Sequence, residues 1–451
     1  MSPVVIQIIQ FFLSLSILIV LHELGHFIPA KLFKTKVEKF FLFFDVKFAL
    51  FQKKIGETVY GIGWLPLGGY VKIAGMIDES MDTEAMKEEP KPWEFRSKPA
   101  WQRLIIMLGG VTVNFILAVI IYIGLAYKYG KEYIPMDSLK DGIAIVEPTI
   151  GDKAGLKSGD KILAVDGEPV ESYGSLMLEL INGNSLTIER DGQVIEKELP
   201  VDFISTLIED EDKARFISLR SPFYVKDISK GSHNQGIDLQ KGDHLLAING
   251  EPAEYMDQVA PLLEANKGKE VTLSLKSKSG KTKNVVAKVS EEATLGLGLQ
   301  QFTMEEYEQM GYFKVATVKY GFFEAIPAGI NQGVETLGNY AKNLKKIFNP
   351  STGAYKGVGG FKAIGSMFPE TWDWRAFWAT TALISIILAF MNVLPIPALD
   401  GGHVMFLLYE MISGRKPSDK FLEYAQMVGF FLLIGLLLFA NGNDLYKMIF
   451  K

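Results

Sequence analysis

Apolar residues gather into four uncharged runs near the two ends of the chain. The middle instead alternates short apolar strands with glycine-, aspartate- and asparagine-containing turns. The runs cover residues 4–21, 104–127, 376–399 and 424–440. Each is near the roughly 20 residues that cross a bilayer's hydrocarbon core. One such run could be a buried helix of a soluble protein. Four in one chain of 451 residues point to a polytopic α-helical membrane protein with four transmembrane helices. The first run has no Lys or Arg before it and no small-residue cleavage site after it, so it reads as a retained span rather than a signal peptide. Lys31, Lys34, Lys36 and Lys39 follow it, and Arg415, Lys416 and Lys420 separate the last two runs. Positive charge of this kind stays in the cytoplasm. Both termini and the long middle segment are therefore expected outside.

The middle segment nearly repeats itself. Residues 159–169 (Gly-Asp-Lys-Ile-Leu-Ala-Val-Asp-Gly-Glu-Pro) match residues 242–252 (Gly-Asp-His-Leu-Leu-Ala-Ile-Asn-Gly-Glu-Pro) at seven of eleven positions, 83 residues apart. Each copy reads as a glycine turn, a strand, a tight turn and a helix. The string resembles the PDZ domain, which implies two tandem PDZ-like α+β domains, at 128–220 and 221–305. Domains of that family take extended peptides at a sheet edge, so peptide ligands are an expected partner class; two modules that only space the spans apart is the plainer reading. Residues 306–375 read as amphipathic and interfacial, with a kink or break at Pro327 and Trp372, Trp374 and Trp378 at the start of the third run as a membrane-interface belt. Residues 79–89 read as an acidic loop, and 93–103 as an interfacial lead into the second run.

A net charge of -5 gives no electrostatic reason to expect nucleic acid. The absence of cysteine excludes disulfides and thiolate chemistry, and five histidines leave a short list of metal ligands. Two of them stand in His22-Glu23-Leu24-Gly25-His26, at the inner end of the first run. Positions i and i+4 share a helix face, so both imidazoles can reach one Zn2+ ion, with Glu23 beside it as a proton acceptor. Two helix histidines with an interfacial Glu would be the bland alternative. His22 sits nine residues before Lys31, about 13 Å along a helix, and ionisable groups at such depth mark functional sites by default. A catalytic zinc needs a third protein ligand. His233 and His244 fall in the exported segment, so the third ligand is expected to be an intramembrane carboxylate or His403. Asp400 is the only charged residue between Arg375 and Glu410, in the string Asn392-Val-Leu-Pro-Ile-Pro-Ala-Leu-Asp400-Gly-Gly-His403.

These two motifs together resemble the site-2 protease family of intramembrane zinc metalloproteases (M50-type), and the tandem modules resemble its bacterial sigma-E regulator branch. The resemblance covers essentially the whole chain. It implies that His22, His26 and Asp400 bind Zn2+, that Glu23 is the general base for a zinc-activated water, and that Asn392 holds substrate backbone; His403 is not a ligand in that pattern. It implies a re-entrant β-hairpin over about 55–73, with Gly68, Gly69, Tyr70 and Val71 on the strand that receives substrate. It also implies single-span membrane substrates, among them an anti-sigma factor of envelope stress signalling and remnant signal peptides. The expected location is the bacterial inner membrane, multi-pass, with both termini and the PDZ modules periplasmic. On this reading residues 1–127 carry the first two spans and the hairpin, and 376–451 the last two. Three departures from the family pattern stand out: Phe43-Phe44-Asp45 replaces a Gly-x-Gly turn, Val111 replaces a proline after Gly109-Gly110, and residues 357–365 lack a Gly-Pro-Ile. A membrane-anchored PDZ scaffold without catalysis and a zinc-dependent transporter are the rival classes; the intact Glu23 argues against the first, and the scarcity of intramembrane carboxylates against the second.

Overall fold

The computed structural model describes residues 2–66, 68–76, 89–209 and 216–450; the acidic run 79–88 lies outside them. Two compact units divide the chain. Met1–Gly130, Lys319–Lys345 and Val358–Lys451 form one, and Lys131–Val318 with Lys346–Gly357 the other. The 306–375 stretch is thus shared between the two.

Among the described residues of the first unit, four helices are long and apolar enough to cross a membrane: Pro3–Leu32 (α1), Ala100–Tyr129 (α2), Trp374–Val393 and Lys420–Phe450. Helix α1 runs on past its apolar run through the inward-facing His22 and His26, and α2 starts ahead of its run with Arg103 buried. Gln10, Ser14, Leu18, His26 and Ala30 make a buried stripe on α1, and Arg103, Met107, Gly110, Asn114 and Ala118 make one on α2. The stripes meet through glycine. A Cβ on Gly25 would strike the Gly109 backbone, and one on Gly109 would strike the Gly25 carbonyl. Small residues let helix backbones approach this closely in a membrane.

Polar residues inside the spans find partners, as a medium without water demands. Gln7 and Gln10 donate to the carbonyls of Phe368 (2.9 Å) and Pro369 (2.8 Å), and Thr381 donates to Ser14 at 3.0 Å. Near the end of the last span, Asp444 accepts the amide protons of Gly360 and Ala363, and Asn441 that of Phe361. The start of the first span and the end of the last therefore meet the same stretch, 360–369.

The third span stops at Val393 instead of reaching 399. Leu394 and Ile396 each precede a proline, which disfavours helical backbone, and Pro395 and Pro397 have no N–H to continue the ladder. The chain turns through Ala398, at φ 77, and restarts as the helix Asp400–Ser413. This half-helix is tied to α2 by the Arg103–Glu410 pair (2.5 Å), and Leu407 packs with Ala30, Ile106 and Met107. The helix Phe322–Ile347 runs on through Pro327, where a kink or break was expected, so the proline does not break it, and its Gly329 and Gly333 lie against Ile123 and Val119 of α2.

Between α1 and α2 lies a four-stranded sheet of Val37–Leu42 (β1), Phe44–Ile55 (β2), Thr58–Leu65 (β3) and Tyr70–Ile73 (β4), in the order β2-β3-β1-β4. This corrects the hairpin expected over 55–73. β3 and β4 do not pair with each other; β1 runs between them, parallel to β3 and antiparallel to β4. The hairpin here is β2–β3, turning at Gly56. Gly61 of β3 makes room for the fully buried Phe41 ring of β1, which Tyr70 covers from β4. That packing seats β1 in the centre.

The second unit contains two modules of equal topology. In the first, the sheet order is Gln193–Glu198, Ser185–Arg190, Lys161–Val165, Glu168–Pro169, with the helix Tyr173–Asn182. In the second, Thr282–Lys288, Glu270–Lys276, His244–Ile248 and Glu251–Pro252 repeat that arrangement, with the helix Met256–Ala265. The repeated residues do the same work in both. Asp166-Gly167 and Asn249-Gly250 adopt positive φ at both positions of a tight hairpin turn. Asp160 and Asp243 are buried and accept the backbone N–H of Lys157 (2.7 Å) and Gln240 (2.9 Å).

The glycine crossing yields a test. Gly25→Val should destabilise the protein by about 3 kcal/mol, the upper range for overpacking, and lower its thermal unfolding midpoint in detergent. Gly124→Val, where nothing lies within 4 Å, should leave the midpoint unchanged.

Candidate metal centre

His22 and His26 sit on the face of α1 that the half-helix Asp400–Ser413 approaches. His22 Nε2 and His26 Nε2 are 3.2 Å apart, and each lies 3.4 Å from Asp400 Oδ2. Among the described residues these three form the group able to hold a metal ion. Tetrahedral coordination at about 2.0–2.1 Å places donor atoms about 3.3 Å apart, so the triangle has the size a zinc ion needs. Asp400 Oδ2 is buried without a hydrogen-bond partner. An orphaned carboxylate oxygen facing two imidazole nitrogens, all in apolar surroundings, is the donor set that a divalent cation satisfies. Asp400 also opens its helix, where the free N–H groups of the first turn favour negative charge.

The rings are held from α2. His26 Nδ1 is 2.8 Å from the Ile106 carbonyl, which fixes that tautomer and turns Nε2 toward Asp400. The side chain of Asn114 lies 3.2 Å from His22 Nδ1. Gly110 has no room for a side chain, since a Cβ there would fall among atoms of both imidazoles.

A cavity of about 620 Å³ opens beside the three donors. It is lined by Glu23, by Gly68, Gly69, Tyr70 and Val71 on and before β4, and by Asn392 in the last turn of the third span. All the residues singled out in the sequence thus border one space. His403 also lines it but does not join the donor triangle. β4 is an edge strand, and the chain at Gly69 passes so close to α1 that a Cβ would meet Ile19 and lie 3.7 Å from Glu23 Cγ.

Several contributors were not legible in the sequence. Asp45 takes hydrogen bonds from Lys39 (2.8 Å) and Tyr70 (2.7 Å), joining β1, β2 and β4 at the cavity wall. Burial alone would raise the Asp45 carboxyl, but these bonds outweigh it and hold the group below the usual carboxylate range. Phe43 carries φ 67, a strained value for a bulky side chain. Gln426 of the last span accepts the Ala398 N–H at 3.2 Å, and Gly429 leaves space for the Pro397 carbonyl. Asn114 is the one carboxamide of the second run, a signal that could have marked it.

The profile of peptidase family M50 matches residues 10–436. The regulator of sigma-E protease RseP of Escherichia coli is 26% identical over 97% of this chain and 98% of its own length. The Haemophilus influenzae regulator of sigma E protease is 25% identical over 97% and 98%. A Neisseria meningitidis serogroup A protein with the provisional name of zinc metalloprotease is 26% identical over 98% and 99%.

The crowding at Gly110 can be tested directly. Gly110→Ala should displace the imidazoles and sharply reduce zinc uptake by the purified protein, read by elemental analysis. A full equivalent of zinc in that variant would contradict the packing described.

Proposed function

Because the chain belongs to peptidase family M50 and is a zinc metalloprotease with four apolar helices of membrane-spanning length, we propose that it cleaves single-span membrane proteins within the bilayer. The observation that carries this reading is the donor triangle of His22, His26 and Asp400, with Glu23 on the same cavity. In it the three side chains hold zinc. When bound, zinc supplies a Lewis acid and lowers the pKa of coordinated water to about 7. Glu23 takes the proton from the attacking water and returns it to the departing amine, the two proton transfers that peptide hydrolysis requires.

A substrate helix must first be stretched. Unwinding exposes N–H and C=O groups that each cost several kcal/mol in lipid. The open edge of β4 offers replacement partners, so substrate adds there as a strand beside Gly68, Gly69, Tyr70 and Val71. Asn392, on the same cavity, offers a carboxamide to the same backbone. The sheet then dips into the bilayer from the cytoplasmic side.

The location that fits is the bacterial inner membrane, with both termini and the second unit periplasmic; the lysines after α1 and the basic loop before the last span support that orientation. The E. coli relative is named for sigma-E regulation, which favours an anti-sigma factor as substrate, with remnant signal peptides as a second class. We read the two modules of the second unit as PDZ domains that bind peptide or exclude substrates with bulky outer portions. A non-catalytic scaffold is disfavoured by family membership and by Glu23.

In proteoliposomes, Glu23→Gln should keep zinc while cleavage of a single-span substrate falls by about 10²–10⁴-fold. Asp400→Ala should lose both zinc and cleavage. Cleavage by Glu23→Gln at the unmodified rate would overturn the assignment of the base, and intact zinc in Asp400→Ala the assignment of the ligand.

A further inference from the structure

We propose that Asn114 is a positioning residue for the metal site: its side-chain oxygen accepts the Nδ1–H of His22 and so presents Nε2 of that ring to the ion. The inference rests on the zinc reading given above. Asn114 is fully buried on α2, and its own backbone carbonyl accepts the Ser385 hydroxyl of the third span at 2.7 Å. That hydroxyl helps lock this turn of α2 in place. Its carboxamide meets His22 Nδ1 at 3.2 Å, with the nitrogen Nδ2 as the atom placed toward the ring.

The two ends of a carboxamide have the same shape, so chemistry decides which faces the ring. With the nitrogen toward it, Nδ1 must be bare and the proton must sit on Nε2. That is the atom 3.2 Å from His26 Nε2 and 3.4 Å from Asp400 Oδ2. A protonated Nε2 cannot ligate a metal, and Asn114 Oδ1 is then buried with no partner at all. With the oxygen toward the ring, both faults vanish together: Oδ1 gains a donor, and Nε2 keeps its lone pair for the ion. The Gly110 carbonyl is also within reach of the ring. A bond to that carbonyl alone would still leave Asn114 Oδ1 buried without a partner, so the side-chain oxygen is the acceptor that this site has to satisfy.

The same helix serves both ligands in this arrangement. The Ile106 carbonyl anchors His26, and Asn114, eight residues and about two turns further on, anchors His22. A hydrogen-bond acceptor behind each imidazole raises its basicity and fixes its orientation, and loss of such a partner weakens metal affinity by about 10–100-fold.

The experiment uses the full-length protein in detergent and follows zinc affinity by competition with a chromophoric chelator. Asn114→Leu should bind zinc about 10–100-fold more weakly, while Asn114→Asp, which keeps an acceptor oxygen, should stay near the unmodified value. Leu binding as tightly as Asn, or Asp failing as badly as Leu, would overturn the proposal. A second readout is made on the unmodified protein and does not depend on how the Asn114 variants fold. In metal-free unmodified protein labelled with ¹⁵N-histidine, the His22 proton should reside on Nδ1, assigned by its disappearance in His22→Gln; a proton on Nε2 overturns the proposal. Failure of the zinc reading itself would show differently, as unmodified protein that takes up no zinc.

Discussion

A carboxylate among membrane helices is held at a steep desolvation penalty unless a positive charge answers it. Asp400 is in that position: its Oδ2 is buried, has no hydrogen-bond partner, and faces two imidazole nitrogens at 3.4 Å. Much of the first unit serves to bring that one oxygen to those two rings. α1 and α2 can approach closely enough only because Gly25 meets Gly109 backbone to backbone. The Pro395 and Pro397 break lets the chain restart at Asp400 with its helix N-terminus toward the rings, and Arg103 with Glu410 ties the new helix to α2. Gln426 and Gly429 brace the intervening turn from the last span.

The cavity joins this centre to the open edge of β4. On the function proposed above, that juxtaposition answers the difficulty specific to cutting a helix in lipid, where an unwound segment needs both a nucleophile and partners for its freed backbone groups. The sheet wall is braced where it borders that cavity: Asp45, Lys39 and Tyr70 form a hydrogen-bonded cluster, and Phe43 accepts a strained φ beside it.

The four spans were legible because hydropathy over about 20 residues is a strong signal. The three side chains that the structure brings together were legible because i, i+4 spacing fixes a helix face and because Asp400 stands alone in an uncharged stretch. The ends of the spans were less so. Helix α1 runs eleven residues beyond its apolar run, to Leu32, since His22, Glu23 and His26 look inward rather than into lipid. The sheet was misjudged for a related reason. Phe40-Phe41-Leu42 has no period-two alternation, so β1 carried no strand signature, and its place between β3 and β4 depends on Gly61 making space for Phe41. Asn114 and Gln426 are the single carboxamides of their apolar runs, and their purpose is visible only once the neighbouring helices are in place.

Zinc K-edge X-ray absorption on the purified protein addresses the central arrangement most directly. The account predicts one zinc per chain with two imidazole nitrogens and oxygen donors at about 2.0–2.1 Å, and loss of the bound ion in Asp400→Ala. A zinc shell unchanged in Asp400→Ala, or one that lacks the two imidazoles, would contradict it.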